Sequence, residues 1–593
     1  MTLSFDLIDL AKHHGFFLAL AGVSAHLLYW IRGERNNKEV RAWLLTHAVV
    51  NIAILGFILL NPPAQQSPWS ISAWGRGLAA VSLLNLCFYG PLFASVSVYR
   101  LFFHRLRRFP GPVALKLSKL TAAYANVGKE RDFERIWDLH KQYGDIVRTG
   151  PQELSVLSAD AIEAIYGASS RCTRATWYDR LKASGDFSED FATFHIRDPV
   201  AHGKRRKALW DKAFNIRALK SYQPVVVRTT ERFLDALQER VGQVVSGPDT
   251  MQLLSYDLMG LVGWGYSFEN IENWRLNPAL HFVRQVTSGQ RIISQAPWLM
   301  SLLVNLPGMD APMHRYGNWI EARIREKMQL LQGPERETAD AMGKMIPAMV
   351  TLSESALYSE GELMVIAGGD TTATTLATVI FYLARNPSIQ HKLQAELDEA
   401  AQRLRQQGDD EATDSSPEAS YYRSISSLPY LRACINEALR LMPPVPGEIP
   451  RKTPLEGIHI PLPTPTTPSS TSVATPSTIF IPGDTIISVP VLPVQRDSRN
   501  YVHPDDFIPE RWTDEKPELT LNRSAFMPFA AGAYTCAGRA LAYIEMRIVL
   551  AKLFERFQVR LADGEDGRRF LEETKDCHVV HLGDFEVVYE RRG

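Results

Sequence analysis

Cys536 stands in a glycine-bearing loop directly before an amphipathic stretch of the chain. From Leu541 onward, apolar residues recur every three to five positions, which predicts a helix over Arg539–Phe557 with a buried face. Cys536 therefore lies at the N-terminal end of this predicted helix. Backbone amides at a helix start carry partial positive charge, which lowers the pKa of a nearby thiol and favours the thiolate. The pattern predicts a cysteine that binds a metal ion.

The residues around Cys536 indicate which metal group this is. Gly532 allows the loop a backbone conformation that other residues rarely adopt, and Gly538 removes a side chain where the helix would approach something flat and bulky. Phe529 is placed to shield the other side of the sulfur. Because no second cysteine lies close enough for a CxxC pair, a tetrahedral thiolate site is not indicated. One thiolate, glycine clearance and an aromatic shield suit a haem iron. The alternative is a buried cysteine that caps an ordinary helix.

A second pattern lies in a long helix predicted from about Glu360 to Asn386. Gly368 and Gly369 stand in its interior, where each glycine costs about 1 kcal/mol relative to alanine. A purely structural helix has little use for this pair, so the pattern indicates that something needs the space. Asp370 and Thr371 follow directly and supply a carboxylate and a hydroxyl. The alternative is a packing notch between helices, with the threonine hydroxyl bonded back to its own helix.

Two further patterns are weaker when each is taken alone. Glu437 and Arg440 are three residues apart on a helix predicted over Leu428–Leu441, and an exposed pair of this kind is worth only a few tenths of a kcal/mol. His202 and Arg206 are four residues apart in a basic run, which is usually a solvated helix face. Both patterns gain meaning from their order relative to the cysteine loop.

Four motifs, in the same order along the chain, resemble those of the cytochrome P450 monooxygenases. They are Ala-Gly-Gly-Asp-Thr at 367–371, Glu-x-x-Arg at 437–440, Pro-Glu-Arg-Trp at 509–512 and Phe-x-x-Gly-x-x-x-Cys-x-Gly at 529–538. On these motifs the chain is similar to microsomal, fungal-type biosynthetic members of that family. The resemblance implies a fold that is mainly α with a small β-sheet region, and it implies haem b with Cys536 as the axial ligand of the iron.

The resemblance also implies roles for residues around the haem. Phe529, Gly532 and Gly538 would form the haem-binding loop together with the cysteine. Thr371 would hydrogen-bond dioxygen at the iron, and Asp370 would help to relay protons from water, with Thr372 a weaker candidate for the threonine's role. The sequence departs from the family pattern at residue 534, where a tyrosine stands in place of the usual Arg or His. This departure bears on one contact to a haem propionate and not on the iron ligand.

Two charged groups of residues are implied on the same basis. Glu437, Arg440 and Arg511 would form a buried triad that holds the segment before the cysteine loop in place. His202 and Arg206 would be two cationic groups, one helical turn apart, that pair with a haem propionate. The first role is structural and the second is cofactor binding.

Composition and charge limit the possible classes of protein. The chain has 593 residues with 65 basic and 65 acidic side chains, and 45% of its residues are hydrophobic. A large core can therefore form, while the lack of net positive charge argues against a nucleic-acid partner. The five cysteines are odd in number and widely spaced, so they imply no disulfide framework and fit a catalytic portion in reducing cytosol.

The first hundred residues carry a membrane pattern. Residues 15–31, 42–60 and 77–99 contain no Asp, Glu, Lys or Arg, and each stretch is near the roughly 20 residues that cross a bilayer. The alternative for any one of them is a buried core helix. Basic residues cluster after the first and third stretches, which predicts three spans, a lumenal N-terminus and a cytosolic bulk domain. We expect a multi-pass protein of the endoplasmic reticulum membrane.

The rest of the chain is predicted to form one catalytic domain. A Phe-Pro-Gly-Pro hinge at 109–112 separates a membrane anchor, 1–109, from a haem-thiolate domain, 110–593. Polar, low-complexity segments near 404–420 and 461–478 cannot build a core and are predicted to be surface loops.

The resemblance implies a reaction in which one oxygen atom from O2 enters a lipophilic organic substrate, as part of secondary-metabolite biosynthesis. No glycine-rich nucleotide motif follows a predicted strand, so we expect electrons from NADPH through a separate NADPH-cytochrome P450 reductase, with cytochrome b5 as a second candidate donor. Two alternatives stay open. A haem-thiolate isomerase or dehydratase would not need Asp370 and Thr371, and a non-catalytic membrane haem-binding protein would keep only the cysteine.

Overall fold

The structure is a computed structural model that describes most of the chain. The described residues are 7–32, 37–61, 67, 69–128, 130–179, 191–281, 295, 311–332, 339–349, 352–406, 416–461 and 478–592. Most of the two predicted low-complexity loops, 404–420 and 461–478, lies outside these residues.

The N-terminal part consists of three apolar helices, α1 (Leu7–Leu28), α2 (Asn37–Leu60) and α3 (Ile71–Val98). Helices α1 and α3 lie close together because Gly22 has no side chain, and a Cβ at this position would collide with the carbonyl of Phe88. Many large apolar side chains of the three helices point outward and are exposed. An apolar outer surface of this kind suits lipid better than water.

Helix α2 over Ala42–Leu60 and the segment Ile71–Phe103 are long and apolar enough to cross a bilayer, judged by length and composition. The apolar part of α1, His13–Leu28, is shorter. A third helix of sufficient length and hydropathy, Glu354–Arg385, is 72% buried inside the protein over its apolar window. This third helix therefore belongs to the buried core of the chain after residue 110.

Two predicted boundaries in this region differ from the structure. The predicted span 15–31 runs past the end of α1 at Leu28, because a short 3-10 turn, Trp30–Arg32, follows the helix. Helix α3 begins before the predicted residue 77, because the Ser70 side chain caps its first turn by accepting a hydrogen bond from the backbone of Ala73.

The part of the chain after residue 110 is mainly helical within the described residues. Its α-helices are α4 (Val113–Leu117), α5 (Leu120–Asn126), α6 (Asp132–Tyr143), α7 (Ala161–Tyr166), α8 (Pro199–Ala208), α9 (Trp210–Ala213), α10 (Ile216–Gln238), α11 (Gly247–Met259), α12 (Asn270–Asn273), α13 (Ala311–Gln332), α14 (Ala341–Met349), α15 (Glu354–Arg385), α16 (Pro387–Gln406), α17 (Pro417–Ser426), α18 (Pro429–Leu441), α19 (Val491–Gln495), α20 (Arg539–Arg556) and α21 (Arg568–Glu572).

The strands are short and form small sheets. They are β1 (Ile146–Gly150), β2 (Glu153–Val156), β3 (Thr173–Arg174), β4 (Val244–Ser246), β5 (Arg451–Lys452), β6 (Ile458–Pro461), β7 (Thr478–Ile481), β8 (Ile486–Ser488), β9 (Phe557–Leu561), β10 (Lys575–Cys577), β11 (Val579–His581) and β12 (Glu586–Arg591). The largest sheet has the order β1-β2-β8-β5-β3, with β2 and β8 parallel and the other neighbours antiparallel. The order β4-β12-β9 forms another sheet, and β6-β7 and β10-β11 form pairs. The predicted fold class, mainly α with a small β-sheet region, is confirmed.

Helix α15 runs through the core of this domain. It begins at Glu354, earlier than the predicted Glu360, because the Ser353 hydroxyl accepts a hydrogen bond from the backbone N–H of Ala356 at 3.2 Å. Its residues from Thr372 to Ala384 are all buried, so protein surrounds this half of the helix on every side. A helix that is apolar all round in this way is fixed by its neighbours and can carry a site with little freedom to move.

A buried ionic cluster lies behind the cysteine loop. The carboxylate of Glu437 accepts hydrogen bonds from Arg440 at 2.8 and 2.9 Å and from Arg511 at 2.9 Å. The Trp512 indole N–H and the Ile508 backbone N–H also donate to it, at 2.8 and 3.0 Å. The three charged side chains are fully buried. The structure thus brings the predicted triad together in one hydrogen-bonded cluster.

The two guanidinium groups of this cluster also hold a long stretch of backbone. They donate to the carbonyl oxygens of Gln495, Val502, His503, Pro504, Asp506 and Leu519. All six carbonyls belong to the segment that leads into the cysteine loop, so the cluster attaches this segment to α18. Every arm of the cluster is satisfied, which is the condition for a buried ion pair to be stable.

Breaking this cluster should be far more costly than breaking an exposed ion pair. We expect Glu437→Gln and Arg511→Gln each to lower the free energy of unfolding by about 3–5 kcal/mol, because each removes one charge of the cluster and leaves the remaining buried charge without that partner. Chemical denaturation of the purified chain measures the loss. The control is Arg556→Gln, which removes the exposed ion pair with Asp235 and should cost about 1 kcal/mol or less. Equal losses in the buried and exposed variants would contradict the structural role.

Candidate active site

The cysteine loop is a tight turn that requires glycine at one position. Gly532 has a φ of +62°, in the left-handed region, and a Cβ on it would collide with the carbonyl of Tyr166. The backbone N–H of Cys536 donates to the carbonyl of Phe529 at 3.0 Å and closes the loop. Helix α20 begins at Arg539, so the cysteine lies just before the first turn of this helix. The loop therefore presents the thiol at the start of the helix.

The Cys536 thiol does not become a thiolate through the helix start alone. Backbone N–H groups of Gly538 and Arg539, and the charges of Arg206 and Arg539, lower its pKa, but burial outweighs them and the pKa lies above the usual value. The helix start therefore favours the thiolate in the expected direction, but burial opposes this effect and is the larger of the two. A metal cation on the sulfur adds the positive charge that the helix start does not supply.

A cavity of about 810 Å³ opens beside Cys536. The thiol is exposed to this cavity, and Phe529 and Gly538 also line it. A Cβ on Gly538 would meet only the Cys536 Sγ, 3.9 Å away, so the space that this glycine leaves is cavity and not protein. This fits the predicted clearance for a flat group next to the sulfur.

Two buried arginines lie at one side of the cavity. Arg174 and Arg451 are 5% and 1% exposed, and they stand directly opposite each other where strands β3 and β5 pair. Their guanidinium groups lie over the ring of Tyr534, at 4.3 and 4.8 Å from its centre. Within the described residues neither forms an ion pair with a carboxylate. Like charges directly opposite in a sheet destabilise it, and buried charges are costly unless an anion balances them.

His202 and Arg206 lie beside these arginines but play different parts. The Nδ1 of His202 and the Nε of Arg174 are buried without a hydrogen-bond partner in the described part of the chain. Arg206, by contrast, donates to the Thr535 carbonyl at 2.5 Å and to Asp211 at 3.0 Å, and so attaches α8 to the cysteine loop. Of the predicted pair, His202 therefore has a ring nitrogen that can still contact a ligand, whereas the Arg206 guanidinium is already hydrogen-bonded within the protein.

His202 is not a cationic group by itself. Burial and the nearby charges of Arg174, Arg206 and Arg451 lower its pKa to about 3, so the imidazole is neutral at physiological pH. An anion between these groups would raise this pKa again, because it would favour the charged form.

Tyr534, which departs from the family pattern, has a clear place in the structure. Its hydroxyl donates to the carbonyl of Arg197 at 2.6 Å, and its ring lies 4.8 Å from the ring of His202. The hydrogen bond holds the tyrosine ring in place, and the guanidinium groups of Arg174 and Arg451 stack on it. These two arginines supply the positive charge that Arg or His at residue 534 supplies in the family pattern.

On the other side of the cavity, the glycine pair of α15 has a packing role. A Cβ on Gly369 would clash with the ring of Tyr256, and one on Gly368 would clash with the side chain of Met259. Both neighbours belong to α11, and the Ser255 hydroxyl donates to the carbonyl of Gly369 at 2.7 Å. The glycines therefore allow α11 to approach α15, as the packing alternative requires. Gly368 also lines the cavity.

Thr371 and Asp370 face different surroundings. The Thr371 hydroxyl donates to the carbonyl of Ala367 at 2.7 Å, and the residue lines the cavity. Since its proton is committed to the helix, the oxygen offers acceptor capacity to the cavity. Asp370 is buried toward α11, where its carboxylate accepts a hydrogen bond from the Tyr256 hydroxyl at 2.7 Å. The structure therefore does not bring the carboxylate and the hydroxyl of these two residues together.

Another carboxyl group lies closer to the cavity than Asp370. Glu545 on α20 lines the cavity, and the Thr372 hydroxyl donates to its Oε2 at 3.3 Å. The other oxygen, Oε1, is buried without a partner among the described residues. Burial raises the pKa of Glu545 to about 8, against the opposing effect of the Thr372 hydrogen bond, so the carboxyl holds a proton at neutral pH.

The residues present fit a haem. A thiol faces the cavity, Gly538 leaves room beside it, and two buried arginines and a neutral histidine lack an anion. Haem carries its iron at the centre and two carboxylates at one edge. Cys536 would hold the iron, and Arg174, Arg451 and His202 would contact the carboxylates.

Comparison with known proteins gives the family. A profile of the cytochrome P450 family matches residues 118–581. The chain is 33% identical over 506 residues to cytochrome P450 monooxygenase orf5 of Eupenicillium brefeldianum, which covers 84% of this chain and 94% of that protein. It is 29% identical over 581 residues to tryprostatin B 6-hydroxylase of Aspergillus fumigatus, with 97% and 95% covered. The crystal structure of the cytochrome P450DA heme domain matches it with a TM-score of 0.60 and 18% identity, covering 82% of this chain and 98% of that chain.

The chain belongs to the cytochrome P450 family and is a monooxygenase of the fungal biosynthetic type. The similar crystal structure confirms the P450 fold. Membership of this family implies haem and O2, in agreement with the residues around the cavity.

Sequence reasoning missed Arg174, Arg451 and Glu545. The two arginines are far apart in the sequence and stand in two-residue strands, so only the pairing of β3 with β5 reveals them as neighbours. Glu545 had a signal, because it lies nine residues after the cysteine on a helix whose other inward positions are apolar. A carboxyl group at an inward position of such a helix indicates a buried acid.

We expect Arg174→Gln and Arg451→Gln each to weaken haem retention roughly tenfold, because each removes a charge-assisted contact to a carboxylate. The measurement is the rate of haem transfer from the purified holoprotein to an excess of apomyoglobin. Arg171→Gln, which removes an exposed ion pair with Glu456 close to Arg174, serves as the control and should transfer haem at the wild-type rate. Unchanged transfer from both buried-arginine variants would show that these residues do not bind the cofactor.

Glu545 should make stability depend on pH in a defined direction. Its pKa is raised from 4.5 to about 8, so between these values the native chain holds a proton that the unfolded chain has lost. Stability from this group is complete below pH 4.5 and is lost as pH rises toward 8. Relative to wild type, Glu545→Gln should gain about 1.4 kcal/mol of unfolding free energy per pH unit across this range. Denaturation at several pH values measures the slope, and the exposed Glu518→Gln is the control. A slope identical to wild type in Glu545→Gln would contradict the buried, protonated carboxyl.

Proposed function

We propose that the protein is a haem-thiolate monooxygenase that inserts one atom of O2 into a lipophilic secondary metabolite at the endoplasmic reticulum membrane. One oxygen atom enters the substrate and the other leaves as water, with consumption of two electrons and two protons. The observation that carries the proposal is the cavity itself, which is lined by the Cys536 thiol, by two arginines without a carboxylate partner in the described chain, and by Thr371. Relatives with monooxygenase and hydroxylase names support the same reaction.

The chain's own residues have separate tasks in this proposal. Cys536 would hold the iron, and the haem, when bound, would supply the redox chemistry by which O2 is activated. Thr371 presents a hydroxyl oxygen to the cavity that accepts a hydrogen bond and so holds a proton near the reacting atoms. Asp370 lies on the side of α15 that faces α11, where its carboxylate accepts a hydrogen bond from the Tyr256 hydroxyl. In this proposal it helps to relay protons from there. Gly538 keeps the space beside the sulfur open.

The membrane part supports a lipophilic substrate. Helices α2 and α3 are apolar enough to cross a bilayer, and basic residues follow the first and third predicted spans. In this proposal the N-terminus is lumenal and the catalytic domain is cytosolic, and the membrane part keeps this domain close to substrates dissolved in the lipid.

A basic surface next to the cysteine loop supports electron delivery by a separate protein. The ring of Tyr543 packs at 5.4 Å from that of Phe529. Burial raises the pKa of Tyr543, and the nearby positive charges of Arg432, Arg539 and Arg547 lower it, so all three arginines lie around this ring. None of the three arginines forms an ion pair with a carboxylate in the portion of the chain that is described. We propose that an acidic face of NADPH-cytochrome P450 reductase binds this basic surface. Cytochrome b5 is a second candidate electron donor that would bind the same arginines.

The experiment that tests the function compares a producing strain that lacks this chain with the same strain complemented by it, both grown under ¹⁸O2. Mass spectrometry should find a precursor that accumulates in the deletion strain and a product with one ¹⁸O atom in the complemented strain. A product with the mass of the precursor would indicate an isomerase, and loss of water would indicate a dehydratase. No change in metabolites, together with no substrate-dependent uptake of O2, would indicate a haem-binding protein without this activity.

Charge reversal on the basic surface should weaken electron transfer specifically. We expect the double variant Arg432→Glu/Arg547→Glu to raise the KM for the reductase roughly tenfold, because it removes electrostatic attraction between the partners. Reductase titration of NADPH oxidation measures this effect, and chemical reduction by dithionite should stay at the wild-type level. Arg568→Glu, a reversal at an exposed arginine on α21, is the control. A wild-type KM in the double variant would exclude this surface as the docking site.

A further inference from the structure

Glu362 is an acidic residue of the cavity wall that the reaction described above does not use. It lies on α15 and lines the cavity that contains Cys536 and Thr371. Helix α13 packs against it, and the Tyr316 hydroxyl donates to the backbone carbonyl of Glu362 at 3.3 Å. The carboxylate faces the neighbouring Gly317, where an added Cβ would lie 3.7 Å from Oε1. The side chain thus occupies the space that this glycine leaves.

The carboxylate of Glu362 differs from the other acidic groups that line the cavity. Glu321 is paired with Arg325, Glu448 accepts a hydrogen bond from Ser488 at 2.8 Å, and Glu545 accepts one from Thr372. Across the described ranges, no ion pair and no hydrogen bond holds the Glu362 carboxylate.

The surroundings of Glu362 disfavour a negative charge. Burial raises its pKa from 4.5 to about 7, and no basic group in the described chain acts in the opposite direction. The carboxyl is therefore partly protonated at neutral pH unless a cation lies beside it. A cation beside it would restore the charge and gain a strong interaction in an enclosed site, whereas an anion would be repelled.

We propose that Glu362 binds a protonated amine of the substrate. The substrate class is then a lipophilic molecule with a basic nitrogen, held by one charged contact in a cavity that is otherwise lined largely by aromatic and aliphatic side chains. This inference rests on the proposed function, since it names the substrate of the same cavity.

The position of Glu362 along α15 separates the proposed amine contact from Thr371. Glu362 and Thr371 are nine residues apart on one helix, which corresponds to about 13.5 Å along the helix axis. An amine bound at Glu362 therefore lies about two and a half helical turns along α15 from Thr371.

The test uses two probes of equal shape that differ by one positive charge, a naphthylalkyl trimethylammonium ion and its tert-butyl isostere. A quaternary nitrogen has no lone pair, so it cannot bind the haem iron and confuse the result. Isothermal titration calorimetry of the purified full-length chain in nanodiscs gives the Kd of each probe. We expect wild type to bind the cation at least tenfold more tightly than the neutral isostere.

Two variants decide whether Glu362 is the cause. Glu362→Gln should lose the preference for the cation and keep the wild-type Kd for the isostere, which also shows that the cavity is intact. Glu321→Gln, which neutralises a paired acid of the same wall, should keep the preference. Equal binding of both probes by wild type, a retained preference in Glu362→Gln, or the same loss in both variants would each overturn the proposal.

The outcome is separate from that of the proposed function. Calorimetry reports binding whether or not the chain transfers oxygen, so a preference for the cation with no ¹⁸O product would leave Glu362 as an amine site in a protein of another activity. Conversely, an ¹⁸O product without the preference would leave the monooxygenase in place and remove the amine from its substrate class.

Discussion

Two arginines buried side by side without a protein anion impose the main constraint on this structure. Arg174 and Arg451 are brought together by the pairing of β3 with β5, and both lie over Tyr534. Their repulsion is a cost that folding alone does not recover. An anionic cofactor recovers it, so binding of the cofactor and stability of this sheet are coupled. The same anion would reverse the loss of charge on His202.

The rest of the domain holds the two sides of the cavity at a fixed separation. On the cysteine side, the cluster around Glu437 attaches the backbone before the loop to α18. On the opposite side, Gly368 and Gly369 let α11 press against α15, which fixes the helix that carries Thr371. The position of the cysteine loop thus depends on a buried ionic cluster, and the position of α15 depends on close helix packing. Both Cys536 and Thr371 must be held in place for the proposed reaction.

The sequence predicts the motif residues well because their spacing reflects local structure. The helix after Cys536, the long glycine-bearing helix and the pair Glu437 and Arg440 all appear near their predicted positions. Their boundaries shift where a cap decides the first turn, as with Ser353. What the sequence does not predict is the result of contacts between distant segments.

Four residues illustrate that limit. The pKa of His202 is lowered because its side chain is buried, and because Arg174 and Arg451 of two distant strands lie near it together with Arg206. The pKa of the cysteine rises because burial exceeds the effect of the helix start. Asp370 turns toward Tyr256, a residue of another helix, so its neighbour Thr371 faces the cavity without it. Glu362 belongs to no motif in the sequence, and only the structure shows that its carboxyl is buried with no basic group beside it in the described chain.

The claim on which the function depends is that the Cys536 sulfur binds the haem iron as a thiolate. The most direct measurement is the absorption spectrum of the reduced protein with carbon monoxide, in wild type and in Cys536→His. A thiolate opposite carbon monoxide moves the Soret band to longer wavelength than an imidazole does. Wild type should therefore show the long-wavelength band, and Cys536→His should bind haem but lose that band. The same spectrum in both proteins would contradict ligation by this cysteine.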